Sequence, residues 1–300
     1  MIVVDYNQTA IGSFMAEARG RTDVEPNLDL LRHMILNSIR SYNKRWSPEF
    51  GNLVIACDNR HYWRRQVFPY YKAGRKVSRQ RSGMDWNAIF EAVNIVRDEI
   101  AEVFPYPVID VDGAEADDVI GTLAAYSQTH GTIPQEAGQL PFDEFIPDPF
   151  LIISGDHDFK QLQKWANIKQ YAPAQKKWVK ITEPAEVVLR EHIIVGDKGD
   201  GIPNMLSDDD CFVEGKRQTP VRKVKLNKWK YLPPEEWVSG ELAAGYVRNS
   251  TLVDLTKTPE DIKESIINNY KSQQGQDRSL LLDYFMKYKM KHMIDVIDDF

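Results

Sequence analysis

Short apolar runs, several closed by a carboxylate, alternate along the chain with longer stretches in which apolar residues recur every three or four positions. Ile2-Val3-Val4 ends on Asp5, and Leu53-Val54-Ile55-Ala56-Cys57 ends on Asp58. Val108-Ile109-Asp110-Val111 is a third such run, and Phe150-Leu151-Ile152-Ile153 leads through Ser154-Gly155 to Asp156-His157-Asp158. These read as buried strands with acids at or just beyond their carboxyl ends. Between the first two, Leu28, Leu31, Met34, Ile35, Ile39 and Tyr42 follow Pro26-Asn27 at helical spacing. Trp86, Ile89, Phe90, Val93, Val96, Ile100 and Val103 trace another helical face. Strand, helix, strand is the βαβ pattern, so the expected fold is α/β, with a mostly parallel central sheet flanked by helices.

Further along, residues 168–171 and 178–181 predict a short strand pair and residues 183–194 a helix. The remainder reads as mostly helical. The expected division is an α/β domain over residues 1–184 and a smaller, mainly α-helical domain over 185–300, with the boundary near Pro184. Residues 127–149, carrying Pro134, Pro141, Pro147 and Pro149, read as a long surface excursion.

Three hundred residues at 42% hydrophobic content suffice for a real core and for catalysis. The net charge of -6 argues, taken alone, against a nucleic-acid partner. The distribution reverses that argument. Residues 60–84 hold eight Lys or Arg and no Asp or Glu; residues 159–181 hold six and none, and residues 215–234 seven and none. In the first of these the cations Arg60, Arg64, Arg65, Lys72, Arg75, Lys76 and Arg79 are interleaved with Tyr62, Trp63, Tyr70 and Tyr71. Phosphates and bases would supply such a segment with partners, through charge neutralisation and stacking. Two cysteines, Cys57 and Cys211, are too few for a disulfide framework and fit reduced, cytoplasmic thiols. No apolar stretch resembles a signal peptide or a membrane span.

The acids gather elsewhere. Glu115, Asp117 and Asp118 fall within four residues at the start of a helix, more than a helix dipole needs. Asp197 and Asp200 lie in a glycine-rich turn, where the backbone can bend back toward the sheet. With Asp5, Asp58, Asp156 and Asp158 they make nine carboxylates expected to converge at the carboxyl ends of the strands. So many anions cannot stay ionised together without cations. Oxygen ligands with neither Cys nor clustered His favour Mg²⁺, with Mn²⁺ as a substitute, over zinc. Two such ions suit phosphodiester hydrolysis. An extended backbone places Asp156 and Asp158 on one side and turns His157 away, which makes His157 a spacer. The other readings are a small-molecule phosphatase, which leaves the basic segments without a purpose, and a non-catalytic nucleic-acid binder, which has no need of nine placed acids.

The order V-V-D, A-C-D-N, E-A-D-D, S-G-D-H-D-F and G-D-x-x-D resembles the flap endonuclease, or 5′-nuclease, family. Tyr62-Trp63-Arg64-Arg65, Tyr70-Tyr71-Lys72, Trp178-Val179-Lys180 and Arg217-Gln218-Thr219-Pro220 resemble its T-even-phage ribonuclease H branch. The resemblance spans most of residues 1–220. It implies a PIN-like 5′-nuclease fold with a helical arch over about residues 60–98, and removal of RNA primers and 5′ flaps during replication. Asp5, Asp58, Glu115, Asp117, Asp118 and Asp156 would serve a first Mg²⁺; Asp156, Asp158, Asp197 and Asp200 would serve a second. Lys72 and Arg75 match the family's basic pair at the arch base and, with Asp156, would be catalytic. Tyr71 would stack on a terminal base, and Arg64, Arg65, Lys76, Arg79, Lys216, Arg217, Arg222 and Lys223 would contact nucleic acid. The implied partners are branched or nicked DNA and RNA–DNA duplex bearing a 5′ end, a single-stranded-DNA-binding protein and a sliding clamp, all met by a monomer. The acidic stretch 204–210 departs from the family's duplex-gripping element, and the basic segment after Gly215 is the expected substitute. With Asp5 so close to Met1, no N-terminal extension is expected to reach a clamp.

Overall fold

The computed structural model describes residues 1–22, 24–132 and 146–300. Its strands are β1 (Ile2–Asp5), β2 (Leu53–Ala56), β3 (Val108–Ile109), β4 (Gly131–Thr132), β5 (Ile146–Pro147), β6 (Phe150–Ile153), β7 (Ile168–Ala172) and β8 (Lys177–Val179). Six of them form one sheet in the order β3-β2-β1-β6-β7-β8. All neighbours are parallel except β7 and β8, the expected strand pair, which form an antiparallel edge. Pro134 and Pro141 of the expected excursion lie outside the described residues; its described ends pair as β4 and β5.

Every residue of β1, β2 and β6 is buried because helices cover both faces of the sheet. The side-chain period of two sorts them cleanly. Ile2, Val4, Ile55, Leu151 and Ile153 enter one core, while Val3, Val54, Ala56, Phe150 and Ile152 enter the other. The helices before β3 are α1 (Tyr6–Ala18), α2 (Leu28–Phe50), α3 (Arg64–Val67), α4 (Ala73–Arg81) and α5 (Trp86–Val103). After it come α6 (Ala116–Tyr126), α7 (Ala185–Val195), α8 (Lys223–Trp229), α9 (Glu241–Val253), α10 (Glu260–Ser272), α11 (Leu281–Lys287) and α12 (Lys291–Ile294). Helices α1, α2 and α5 cover the first core, α6 and α10 the second.

Two departures from the periodicity have physical causes. Helix α1 is not visible in the apolar pattern, because Thr9 and Ser13 interrupt its inward face; the Asp5 side chain, accepting the Gln8 N–H at 3.0 Å, starts it. The residues after 184 divide between two places: Ile194, Met205 and Trp229 gather in a small cluster of their own, packed by Leu226, Trp237 and Tyr246, while the C-terminal residues return to the sheet. Leu281, Tyr284, Phe285, Met293 and Phe300 are buried in the first core beside α2 and α5, with Phe300 against Phe104 and Phe285. Asp299 accepts from Arg40 and Lys44 of α2 and fixes this return. The chain therefore folds back over its own sheet.

Helix α4 differs from all these, since none of its residues is buried. It begins just after Lys72, a non-glycine residue in the left-handed region at φ 57°, a conformation that usually needs a local reason.

Candidate active site

Strand order reverses at β1, whose neighbours are β2 and β6, so a crevice opens at the carboxyl ends of these three strands. Asp5 closes β1. Its Oδ2 accepts Ser154 Oγ at 3.1 Å, and its carboxyl is pushed up to about 7 by burial and by the neighbouring Asp58 charge. Asp58, just beyond β2, accepts Asn7 Nδ2 at 2.6 Å and the Ala116 N–H at 2.8 Å. Glu115, at the start of α6, is buried and accepts Lys72 Nζ at 2.5 Å, Arg64 at 3.0 Å and the Tyr71 hydroxyl at 3.1 Å. Asp117 has a carboxyl raised well above its ordinary value, first by burial and then by the Asp156 charge.

Asp118 is placed differently from its sequence assignment. It is fully buried, and its two oxygens take Arg64 at 2.8 Å, the Glu115 N–H at 2.9 Å, Thr258 Oγ1 at 2.7 Å and Trp63 Nε1 at 3.2 Å. Burial works against its charge, but these donors hold its pKa below the ordinary range. No lone pair is left facing the crevice, so Asp118 ties α6 to α3 instead of facing an ion.

Arg64 likewise departs from the reading as a nucleic-acid contact. It is 2% exposed and spans Glu115, Asp118 and the Leu252 carbonyl, at 2.8 Å to the last. A buried cation with two carboxylates cannot reach a phosphate. Tyr71 is corrected in the same way: it is buried, with its hydroxyl 2.9 Å from Asp200 and its ring edge-on to Tyr62, so no face is open for a base in this conformation.

The second cluster hangs on the segment after β6 and on the turn after α7. Gly196, at φ +72°, lets the chain double back so tightly that a Cβ there would stand 2.5 Å from the Ile202 and Pro203 carbonyls. Asp197 pairs with Ile202 across this turn, and its Oδ1 accepts the Gly199 and Asp200 N–H groups. Asp200 Oδ1 accepts Arg75 at 2.5 Å, and its carbonyl accepts the Lys72 N–H at 2.7 Å. The glycine-rich turn thus holds its acids against the start of α4.

His157 is not the outward spacer that an extended backbone implies. Strand β6 ends at Ile153, and His157 already has helical dihedrals, φ -80° and ψ -17°, leading into a 3₁₀ turn from Asp158. Its ring returns to the acids: Nδ1 lies 3.5 Å from Asp156, and Nε2 lies 3.5 Å from both Asp158 and Asp197. His192 of α7, which sequence reasoning missed, completes the group, with its Nε2 3.1 Å from that of His157.

Asp158 is raised to about 7, by burial first, with the Asp156, Asp200 and Asp197 charges adding and His192 opposing. Its buried Oδ1 takes no aligned hydrogen bond. Buried carboxylates pushed toward neutrality, one of them with an orphan oxygen, are what a site built for divalent cations shows when only protein groups surround it. The residues present therefore fit metal ions.

One consequence is a reversed pH dependence of the metal-free protein. Asp5 and Asp158, near 7 in the fold against an ordinary 3.8, keep protons that the unfolded chain has lost. Their contribution is full below about pH 4 and is lost as pH rises through about 7. The N-terminal ammonium, lowered to about 6 by burial, and His157 act in the opposite sense with smaller weight. In thermal melts under chelator, Tm should fall between about pH 5.5 and about pH 8, and added divalent cation should raise Tm more at the higher pH. A Tm that rises over this range would contradict the assignment.

Above the carboxylates runs a cleft of about 970 Å³ between α4 and α5, lined by Arg60, Arg65, Arg75, Lys76 and Arg79 with Asp58 on its floor. Lys72 is 8% exposed and sits between Glu115 and Asp200, whose charges keep it protonated against the cost of burial. Lys216, Arg217, Arg222 and Lys223 are exposed beyond α7, and Lys216 meets Asp210 at 2.6 Å. The acidic stretch before them is braced from inside: Arg248 of α9 donates to the carbonyls of Pro203, Asn204 and Ser207 and to Asp209.

A resolvase-like parallel sheet with carboxylates at its strand ends, under a basic arch, defines a nuclease of the 5′-to-3′ exonuclease class. Residues 1–191 match the family described as 5′–3′ exonuclease, N-terminal resolvase-like domain, and residues 183–300 match T4 RNase H, C terminal; the chain belongs to this family of metal-dependent nucleases. It is 32% identical to the Ribonuclease H of Enterobacteria phage T4 over 314 aligned residues, covering 99% of this chain and 95% of that protein. The T5 D15 protein crystallised with metal ions superposes with a TM-score of 0.59 at 15% identity, over 91% of this chain and 98% of that one. A variant of the phage T5 D15 flap endonuclease, in a complex with DNA and metal ions, gives 0.59 at 14% identity over 92% and 99%. At that identity the two structures establish the shared fold. Among the described residues, no helix is long and apolar enough to cross a membrane.

Proposed function

We propose that this chain is a Mg²⁺-dependent 5′ nuclease, with Mn²⁺ as a substitute, that hydrolyses phosphodiesters at the 5′ ends of RNA–DNA and DNA duplexes and cuts 5′ flaps. The observation that carries this reading is a basic cleft at the foot of α4 that reaches down to Asp58 and Glu115, the near members of the carboxylate group. Asp5, Asp58, Glu115, Asp117 and Asp156 would hold one ion; Asp156, Asp158 and Asp197, with Asp200 at the margin, would hold the other. When bound, the ions supply an activated water and a counter-charge for the leaving oxygen.

The chain's own residues then divide the remaining work. Arg65, Lys76 and Arg79 line the path of the backbone to the site and neutralise its phosphates. Lys72 and Arg75, tied to Glu115 and Asp200 before substrate arrives, stand where charge develops on the scissile phosphate. The carboxylates that now hold them are the ones assigned to metal, so ion binding frees both cations for the phosphate. The exposed cations at 216–223 and α8 would grip the duplex from the C-terminal part, which makes the division near residue 184 a division of tasks.

Likeness to the phage T4 Ribonuclease H supports a role in removing RNA primers in the cytoplasm of an infected host, with a single-stranded-DNA-binding protein and a sliding clamp as proposed partners, and with this chain acting as a monomer. The test is Lys72→Ala. Flap cleavage under single-turnover conditions should drop about 10²-fold, while duplex affinity changes less than about threefold. Equal losses in both would reduce Lys72 to a binding contact.

A further inference from the structure

We infer that His157 and His192, with Asp158 and Asp197, form a nitrogen–oxygen site that selects Co²⁺ or Zn²⁺ over Mg²⁺ at the second metal position. The inference rests on the two-metal reading above but adds ligands that reading does not contain. One donor atom from each of the four residues lies within 4.8 Å of all the others. His157 Nε2 is 3.1 Å from His192 Nε2 and 3.5 Å from the nearest oxygens of Asp158 and Asp197; His192 Nε2 is 3.6 Å from Asp197. Four ligands at bonds of about 2.0–2.1 Å in a tetrahedron stand about 3.4 Å apart, so the group is already close to that size.

Three further observations point to an ion. The Oδ1 of Asp158 is buried beside the imidazoles and takes no aligned hydrogen bond, although His192 Nδ1 stands 3.2 Å and His157 Nε2 3.5 Å from it. The Nε2 atoms of the two rings face each other at 3.1 Å between the carboxylates of Asp158 and Asp197, so each ring turns a nitrogen into the group. His192 Nδ1 lies 3.2 Å from Asp158 and Nε2 3.6 Å from Asp197, so both nitrogens of that ring face carboxylates of the group. Imidazole donors suit Co²⁺ and Zn²⁺, whereas Mg²⁺ takes oxygen ligands and keeps its waters. Asp200, the carboxylate otherwise expected here, stands outside the four-residue group and accepts from Arg75 and Tyr71. A cavity of about 360 Å³ beside the two histidines, bordered by Lys160, Val188 and Glu191, leaves room for water or a phosphate oxygen as a further ligand.

The experiment is a Co²⁺ titration of the full chain in excess Mg²⁺, followed by visible absorption and by proton NMR of the cobalt form. Wild-type protein should bind one Co²⁺ with an intense low-symmetry d–d band and show two paramagnetically shifted, exchangeable imidazole N–H signals. His157→Ala, at a half-exposed side chain, should weaken Co²⁺ binding by about tenfold or more and remove one of those signals. Absence of shifted imidazole signals in wild type, or equal Co²⁺ affinity in the variant, would overturn the site. Should wild type cleave a flap with Mg²⁺ yet give no histidine signature, this inference fails while the nuclease reading stands. A histidine signature without any cleavage would uphold the nitrogen–oxygen site and remove the nuclease reading.

Discussion

Replacing Asp156 with asparagine is expected to lower metal-dependent flap cleavage on the order of 10³-fold while leaving duplex binding within a few-fold of wild type. Asp156 lies between the two clusters: its charge helps raise Asp5 and Asp117 on one side and Asp158 on the other. Under the proposed function Asp156 accordingly has a share in both ions. Asparagine keeps the acceptor for the Asp158 N–H, which Asp156 Oδ1 now takes at 3.0 Å, so the local turn should persist. Removing a negative charge from a crowded anionic site should also leave the metal-free fold as stable as before or more so. Single-turnover cleavage, fluorescence anisotropy on a flap duplex and a urea titration check the three parts. Turnover near that of wild type would refute the role of Asp156 at both ions.

Arg64→Met is expected to cost about 3–5 kcal/mol in folding stability, because it strands Asp118 as a buried carboxylate without its cation and leaves Glu115 with Lys72 alone. The arginine also closes the Leu252 carbonyl, so the loss extends from α3 and α6 to the end of α9. Urea unfolding measures it directly. The same substitution at Arg65, which is exposed and lies 4.9 Å over the Tyr62 ring, should cost well under 1 kcal/mol and weaken nucleic-acid binding instead. A small cost at Arg64 with a large loss of DNA affinity would restore the reading of Arg64 as a phosphate contact.

The contrast between these neighbouring arginines shows where sequence reasoning reaches and where it stops. The strands are legible because parallel strands buried on both faces are written as unbroken apolar runs, and the acids at their ends are legible because chain polarity fixes which end faces the crevice. The arch is legible only as a charged, aromatic segment. Which of its cations point outward is decided by partners 51 and 54 residues away, Glu115 and Asp118, and no local pattern records that pairing. Asp118 escapes sequence reasoning on the same ground: E-A-D-D names three candidates, but α6 turns the last one back into the protein, toward Trp63 and Thr258.

His157 illustrates a different limit. Extended backbone cannot be assumed beyond Ile153, where the strand stops, since the chain curls at His157 into the 3₁₀ turn. His192 gives a faint signal, a histidine in the last turn of a helix five residues before Asp197, but such histidines commonly serve only the helix dipole. Helix α1 is invisible because its inward face is built partly from Thr9 and Ser13, small polar residues that pack where Leu would not fit.

That these carboxylates form a divalent-metal nuclease site acting at 5′ ends is tested most directly with a 5′-end-labelled flap duplex incubated with purified wild-type protein. The expected result is release of short labelled 5′ fragments that begins on addition of Mg²⁺ or Mn²⁺ and stops on chelation. An intact flap under saturating Mg²⁺, or cleavage that continues undiminished in excess chelator, would contradict it.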